Sequence, residues 1–236
     1  MIKTELIDYK DGDVQLEGYC AYDDAKSKKP VVLIAHDWSG KNKFACHKAD
    51  QIAELGYVGF AIDMYGKGLL GQTKEEKTAL ISPLMNNRKK LQTRMLAGFK
   101  TAQSLPNADT KKIAAIGFCF GGLCALDLAR CSDEVIGVIS FHGLLTAPDN
   151  KSNHITAKIL ALHGFNDPMV KPESVMDFCN EMTAAKADWQ MHMYGNTMHG
   201  FTNPEANDPS FGTVYNKLTE QRALRAMEDF FEEIFA

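Results

Sequence analysis

Several features that would fix a protein's class at once are missing from this sequence. No stretch approaches the roughly 18 consecutive apolar residues of a membrane-spanning helix. There is no basic block either: 26 Lys and Arg stand against 30 Asp and Glu, for a formal net charge of −4. That balance argues against a nucleic-acid or anionic-membrane surface and for a small-molecule partner. None of the six cysteines is in C-x-x-C spacing, and Cys46 and His47 are neighbours rather than one helical turn apart, so no metal site is expected. Repeats, low-complexity segments and composition-biased linkers are also lacking. The opening MIKTELIDYKDGD carries charges where a secretory signal needs an apolar core. A cytoplasmic protein with free thiols and no cofactor is the expectation. What is present is a 236-residue chain of 45% hydrophobic residues, enough to bury a large core as a single domain over residues 1–236. Oligomeric state is left open between a monomer and a small homo-oligomer.

Read in order, Thr4 to Asp8 and Val14 to Tyr22 flank Asp11-Gly12-Asp13 and predict an antiparallel hairpin at one sheet edge. After a Lys-rich turn, 26–30, Val31 to Ala35 is a continuous apolar run of the kind a parallel strand shows when both faces are covered. Phe44 to Leu55 has helical spacing, and Tyr57 to Ile62 is the next strand. Thr73 to Met85 is a polar stretch broken by Pro83, and Arg88 to Leu105 an amphipathic helix. Further strands are predicted at Lys112 to Phe118, Val135 to Phe141, Ile159 to Leu162 and Trp189 to Tyr194. Helices are predicted at Phe120 to Cys131, Pro172 to Ala187 and Tyr215 to Phe235. The loop 145–155 is rich in Pro, Asp, Asn and Ser. Leu218, Leu224, Met227, Phe230, Phe231 and Ile234 give the last helix a broad apolar face. Alternating strands and helices predict a mainly parallel α/β sheet of about seven to eight strands in three layers.

The stretch Ile116-Gly117-Phe118-Cys119-Phe120-Gly121-Gly122 lies where a strand gives way to a helix. It has the layout of the G-x-S-x-G nucleophile elbow with Cys in place of Ser. Glycines at 117 and 121 suit a sharp turn, and Gly122 suits close packing of the helix. A helix N-terminus favours thiolate. The competing reading is a buried, inert cysteine in a glycine-rich turn. Later strands close with Asp167 in His163-Gly164-Phe165-Asn166-Asp167-Pro168 and with His199 in Gly195 to Phe201. Nucleophile, acid, histidine is the chain order of α/β hydrolases. In that arrangement His199 takes and returns a proton while Asp167 fixes its tautomer. His36, His142 and His163 also lie at strand ends, but each abuts its strand and none follows the acid loop. Asp63 is a second strand-end acid; it precedes the nucleophile, which favours Asp167. Asp37 and Tyr65 close two earlier strands on the side where α/β sheets bind ligands.

These motifs resemble the dienelactone hydrolase family of α/β hydrolases across nearly the whole chain. Gly117-Phe118-Cys119-Phe120-Gly121-Gly122 is similar to its cysteine elbow, His163-Gly164-x-x-Asp167 to its acid loop, and His199-Gly200-Phe201 to its histidine loop. The resemblance implies an α/β-hydrolase fold and a triad of Cys119, Asp167 and His199, with an oxyanion hole from the backbone N–H groups of Phe120 and Trp38. It implies hydrolysis of a small ester or lactone through a thioester on Cys119. Asp37 stands where the family's archetype has a glutamate that restrains the resting thiol; the competing reading makes it a loop cap. Asn203 stands where the archetype has one of two substrate-clamping arginines, and Arg88 is the candidate for the other. Arg88, Tyr65, Phe201 and Asn203 are therefore the candidate substrate contacts. A broad carboxylesterase or thioesterase on the same residues is the alternative enzyme. A binding or redox-sensing protein that uses Cys119 is the alternative from another class.

Overall fold

The computed structural model describes residues 1–24, 27–105, 107–150 and 153–236. Lys26 of the Lys-rich turn and Lys151 and Ser152 of the loop 145–155 lie outside them. The chain divides into two compact units, Met1–Ile116 and Gly117–Ala236.

The first unit opens with the expected hairpin. Strands β1 (Ile2–Asp11) and β2 (Val14–Asp23) pair antiparallel from Ile2↔Asp23 to Asp11↔Val14. Gly12 turns the two-residue loop at φ +58°, a conformation that strand-twist-compatible turns reserve for residues like glycine. Strands β3 (Lys29–Ala35) and β4 (Val58–Ile62) run parallel, and β2 pairs antiparallel with β4, giving the order β1-β2-β4-β3. Val31 to Ala35 are fully buried, as their uninterrupted apolar run requires. Helix α1 (Lys43–Glu54) lies so close to β4 that a Cβ on Gly59 would sit 2.3 Å from the Ala49 carbonyl oxygen.

Residues 74–85 correct one expectation. They form a continuous helix, α2 (Lys74–Met85), with Pro83 inside it. A capping box starts it: Thr73 Oγ1 accepts from Glu76 N–H at 3.1 Å, and the Glu76 carboxylate accepts from Thr73 N–H at 3.1 Å. Pro83 falls in the last turn, where the helix is about to end and a lost backbone bond disrupts little. Helix α3 (Arg88–Ala102) packs on β1 and β3, and β5 (Ala108–Phe118) then carries the chain from the first unit into the second.

In the second unit, α4 (Phe120–Cys131) follows β5, and β6 (Gly137–Phe141), β7 (Lys158–Gly164) and β8 (Trp189–Tyr194) pair parallel in that order. Helix α5 (Pro172–Ala184) connects β7 to β8. Every residue of α4 from Phe120 to Arg130 is buried. Arg130 is held there by both oxygens of Glu181 at 2.9 and 2.7 Å and by Asp127 at 3.1 Å, so the buried cation is paired and α4 is tied to α5. The terminal helix α6 (Lys217–Phe235) packs on β6 and β7 through Met227, Phe230 and Phe231. Leu218, assigned to its apolar face from spacing, is instead 56% exposed. It lies in the first turn, ahead of the stretch that meets the sheet. Two short strands absent from the sequence reading, β9 (Asn207–Asp208) and β10 (Thr213–Val214), form a small ribbon before α6. Among the described residues no helix is long and apolar enough to cross a membrane.

Candidate active site

Cys119 occupies the single residue between β5 and α4, at φ +57° and ψ −117°. Such a conformation costs a non-glycine residue on the order of 1–3 kcal/mol and persists only where its surroundings over-determine it. The sequence supplies the room. A Cβ on Gly117 would fall 1.9 Å from the Gly121 carbonyl oxygen, and one on Gly122 would fall 2.6 Å from Ser140 Oγ and 2.7 Å from Gly143 Cα. Gly117 is thus required by the close return of the chain. The backbone is then pinned from both sides. Cys119 N–H donates to the Phe141 carbonyl at 3.0 Å and to His142 Nδ1 at 3.1 Å, while the Cys119 carbonyl accepts from Gly122 and Leu123. The Cys119 side chain itself remains partly exposed.

The acid and the histidine come from two loops that interlock. Asn166 N–H donates to the Thr197 carbonyl at 2.9 Å, and a Cβ on Gly164 would fall 2.6 Å from that same oxygen. Asp167 Oδ1 accepts from Met169 N–H at 2.8 Å, which leaves Oδ2 to contact His199 Nδ1 at 2.7 Å. The ribbon holds the histidine's backbone: His199 N–H donates to Gly212 O and its carbonyl accepts from Val214 N–H, each at 3.0 Å. His199 is 2% exposed, and its Nε2 has no nitrogen or oxygen partner among the described residues. Burial by itself disfavours the imidazolium. The electrostatic pull of Cys119 and the hydrogen bonds to Asp167 and Cys119 outweigh it, and the His199 pKa is pushed up to about 10. Cys119, Asp167 and His199 are therefore brought to one place in the second unit.

The other predicted residues have mixed fates. Phe120 is the first residue of α4. Phe201 is fully buried, edge-on to His142 at 5.0 Å and to Tyr194 at 5.8 Å, so it packs the site from behind and does not present a surface to substrate. Asn203 builds a turn: Oδ1 accepts from Glu205 N–H at 3.0 Å and its carbonyl from Ala206 N–H at 2.9 Å, so the side chain is engaged locally. In the first unit, Trp38 accepts the Tyr65 hydroxyl on its carbonyl at 3.0 Å, and Lys77 lies 5.4 Å above its ring. Arg88 is half-buried at the start of α3. Asp37 Oδ1 accepts from Ser39 N–H at 2.7 Å, which makes it a cap of its own loop.

The rival acid and one of the set-aside histidines, His36, are bonded to backbone. Asp63 is buried with Oδ1 bonded to Tyr65 N–H and Gly66 N–H and Oδ2 to Glu17 N–H. His36 accepts Met64 N–H on Nε2 at 3.1 Å, and burial lowers its pKa. His163 is buried, which lowers its pKa against the pull of Asp167 and together with repulsion from His199. His142 is a site residue that sequence reasoning misses. It bonds the Cys119 backbone, and its ring stands edge-on to His199 at 5.1 Å. The available sign is its place directly after β6, beside Gly143 and the elbow; the missing one is Thr202, 60 residues away, which bonds its other nitrogen at 2.8 Å.

A strand–turn–helix elbow, an acid loop and a histidine loop, in that chain order on parallel strands joined by helices, define an α/β hydrolase. The chain belongs to the dienelactone hydrolase family, whose model matches residues 16–235. An uncharacterized protein of Caenorhabditis elegans is 38% identical over 62% of this chain and 96% of its own length. A protein of Aquifex aeolicus named "Putative carboxymethylenebutenolidase" is 24% identical over 97% of both chains. Among solved structures, a dienelactone hydrolase-like promiscuous phosphotriesterase from metagenomic libraries superposes with a TM-score of 0.95 at 30% identity, covering 99% of this chain and 98% of that one.

Proposed function

We propose that the protein, taken as one catalytic domain over residues 1–236, hydrolyses a small ester or lactone through a thioester on Cys119. The observation that carries this reading is His199: Nδ1 is bonded to Asp167, while Nε2, buried and without a nitrogen or oxygen partner among the described residues, is left to the Cys119 side chain. In this reading the attacking group is a Cys119 thiolate and its proton is held by His199. Sγ attacks the acyl carbon, the carbon–oxygen bond to the alcohol breaks, and His199 Nε2–H gives its proton to the leaving oxygen. A water then loses a proton to Nε2 and attacks the thioester; the carbon–sulfur bond breaks, and thiolate and imidazolium return with the free acid. The N–H of Phe120, the first residue of α4, is an oxyanion donor in this reading.

Mass spectrometry after rapid quenching of the protein with an activated aryl ester tests the chemistry. An acyl adduct on Cys119 is the expected result, and oxidation of Cys119 without acylation would move the protein to the redox-sensing class. Substrate class is read by comparing esters and lactones with and without a free carboxylate. With Asn203 in the place of an arginine and committed to its own turn, no preference for the carboxylate is expected. Likeness to the promiscuous phosphotriesterase adds an aryl dialkyl phosphate to the panel, where Sγ would attack phosphorus and expel the aryloxide.

A further inference from the structure

The strained backbone of Cys119 needs an external constraint, and an imidazole shares in it with the Phe141 carbonyl, which accepts the same N–H at 3.0 Å. His142 is buried, and its two ring nitrogens contact groups of fixed and different kinds. Nδ1 meets Cys119 N–H at 3.1 Å; a backbone N–H only donates, so Nδ1 carries no proton. Nε2 then carries it and donates to Thr202 Oγ1 at 2.8 Å. Thr202 is fully buried and lies three residues beyond His199 on the same loop. The imidazole thus spans from the nucleophile's backbone to the loop that carries the base. A second contact agrees: His199, whose pKa is raised by Cys119 and Asp167, stands edge-on at a centroid distance of 5.1 Å, where a neutral neighbour is favoured over a second cation.

We propose that His142 is a positioning residue for the reaction: as a neutral Nε2–H imidazole strung between Cys119 N–H and Thr202, it fixes the elbow backbone and so the direction in which Sγ faces His199. The inference rests on Cys119 being the nucleophile. It separates from ordinary core packing because the two nitrogens have different jobs, and different amides replace them. Asn places its oxygen where Nδ1 is and tolerates the positive φ of +39° found at His142. Gln reaches toward Thr202 and offers Cys119 N–H nothing at the Nδ1 position.

The test measures kcat and KM on an aryl ester, Cys119 alkylation by iodoacetamide, and melting temperature for His142→Gln, His142→Asn and Thr202→Val. His142→Gln is expected to lower kcat by up to about 10²-fold, the scale of a reacting group displaced by about 1 Å, with KM little changed and alkylation slowed in parallel. His142→Asn is expected to recover most of that loss, and Thr202→Val to lower kcat by a smaller factor, again at constant KM. Nitrogen NMR of the histidine-labelled wild type is expected to show His142 as the Nε2–H tautomer. Equal losses in the Asn and Gln variants, an Nδ1–H tautomer, or unchanged kcat in Thr202→Val would each overturn the proposal. The last two readouts decide it if His142→Gln does not fold. Undiminished turnover in Cys119→Ala would instead remove the nucleophile on which the inference rests.

Discussion

Replacing Asp167 by Asn removes one charge and almost no volume, and the surrounding donors determine the effect on the histidine. The wild-type carboxylate is divided: Oδ1 accepts the Met169 N–H at 2.8 Å and Oδ2 faces His199 Nδ1 at 2.7 Å. Met169 N–H is a fixed donor, so the new amide must keep its oxygen there and turn its NH₂ toward His199. Nδ1 is then forced to accept, the proton moves to Nε2, and the neutral imidazole has no lone pair with which to take a proton from water. In the Ser-His-Asp template this error of tautomer costs on the order of 10⁴ in kcat, equivalent to about 5 kcal/mol of barrier. The same change removes Asp167 from the causes that raise His199 toward about 10, so the His199 titration seen by NMR should move down. Steady-state turnover of an aryl ester reads the first effect, with Asp63→Asn as the control. Asp63 serves three backbone donors, so its variant should lose stability, about 1–3 kcal/mol, more than turnover in the folded protein. A larger kcat loss in Asp63→Asn than in Asp167→Asn would refute the assignment of the acid.

Cys119→Ala should abolish ester turnover without altering the circular dichroism spectrum. Cys124→Ala and Cys131→Ala should retain turnover, since Cys124 is fully buried and burial pushes the Cys131 thiol up to about 12. Gly117→Ala should cost roughly 4 kcal/mol or more in denaturant unfolding, because the chain cannot return within 1.9 Å of a methyl group. His199 is raised in the folded state from its usual 6.5, so its contribution to stability is complete below about pH 6.5 and is lost as pH rises through about 10; melting temperature should fall across that window, and less so in Cys119→Ala. Asp37→Asn preserves the oxygen that caps Ser39 N–H, so both melting temperature and the pH profile of Cys119 alkylation should stay as in the wild type, whereas Asp37→Ala should lose about 1 kcal/mol of stability; faster alkylation in Asp37→Asn would restore the thiol-restraining role.

Local patterns make much of this fold legible in the chain itself. Continuous apolar runs mark β3 and β6, and spacing of 3.6 marks α1 and α3, because burial on both faces or on one stripe leaves a direct trace in composition. The elbow is legible because its glycines answer a steric demand within five residues, Gly117 against Gly121. Less can be read where the determining partner is distant or the signal short. The two-residue strands β9 and β10 are too brief for periodicity, although they hold the His199 backbone. Pro83 reads as a helix breaker on its own, because the Thr73 and Glu76 capping box that secures α2 lies at the opposite end of the helix. Phe201 and Asn203 point to substrate by proximity to His199 in sequence, but one faces inward and the other folds its own turn.

Three aspartates show how little separates a structural carboxylate from the one proposed for catalysis. Asp37, Asp63 and Asp167 each follow a parallel strand, and in each Oδ1 accepts the N–H two residues on, from Ser39 at 2.7 Å, Tyr65 at 2.9 Å and Met169 at 2.8 Å. This local bond suits the shape of the chain as it leaves a strand, and it accounts for Asp at all three places without any chemistry. The distinction lies in the second oxygen. For Asp63 it is taken by Glu17 N–H at 3.3 Å, so the carboxylate is spent on backbone. For Asp167 the backbone uses one oxygen only, and the interlocked loop from Gly195 to Phe201 delivers an imidazole to the other. A sequence displays the shared turn and hides the second partner, which is why Asp63 and Asp167 look alike until chain order is considered. The physical criterion is then the partner of Oδ2: a donor that only donates makes the aspartate a brace, and a ring that exchanges a proton at its far nitrogen makes it part of the machinery.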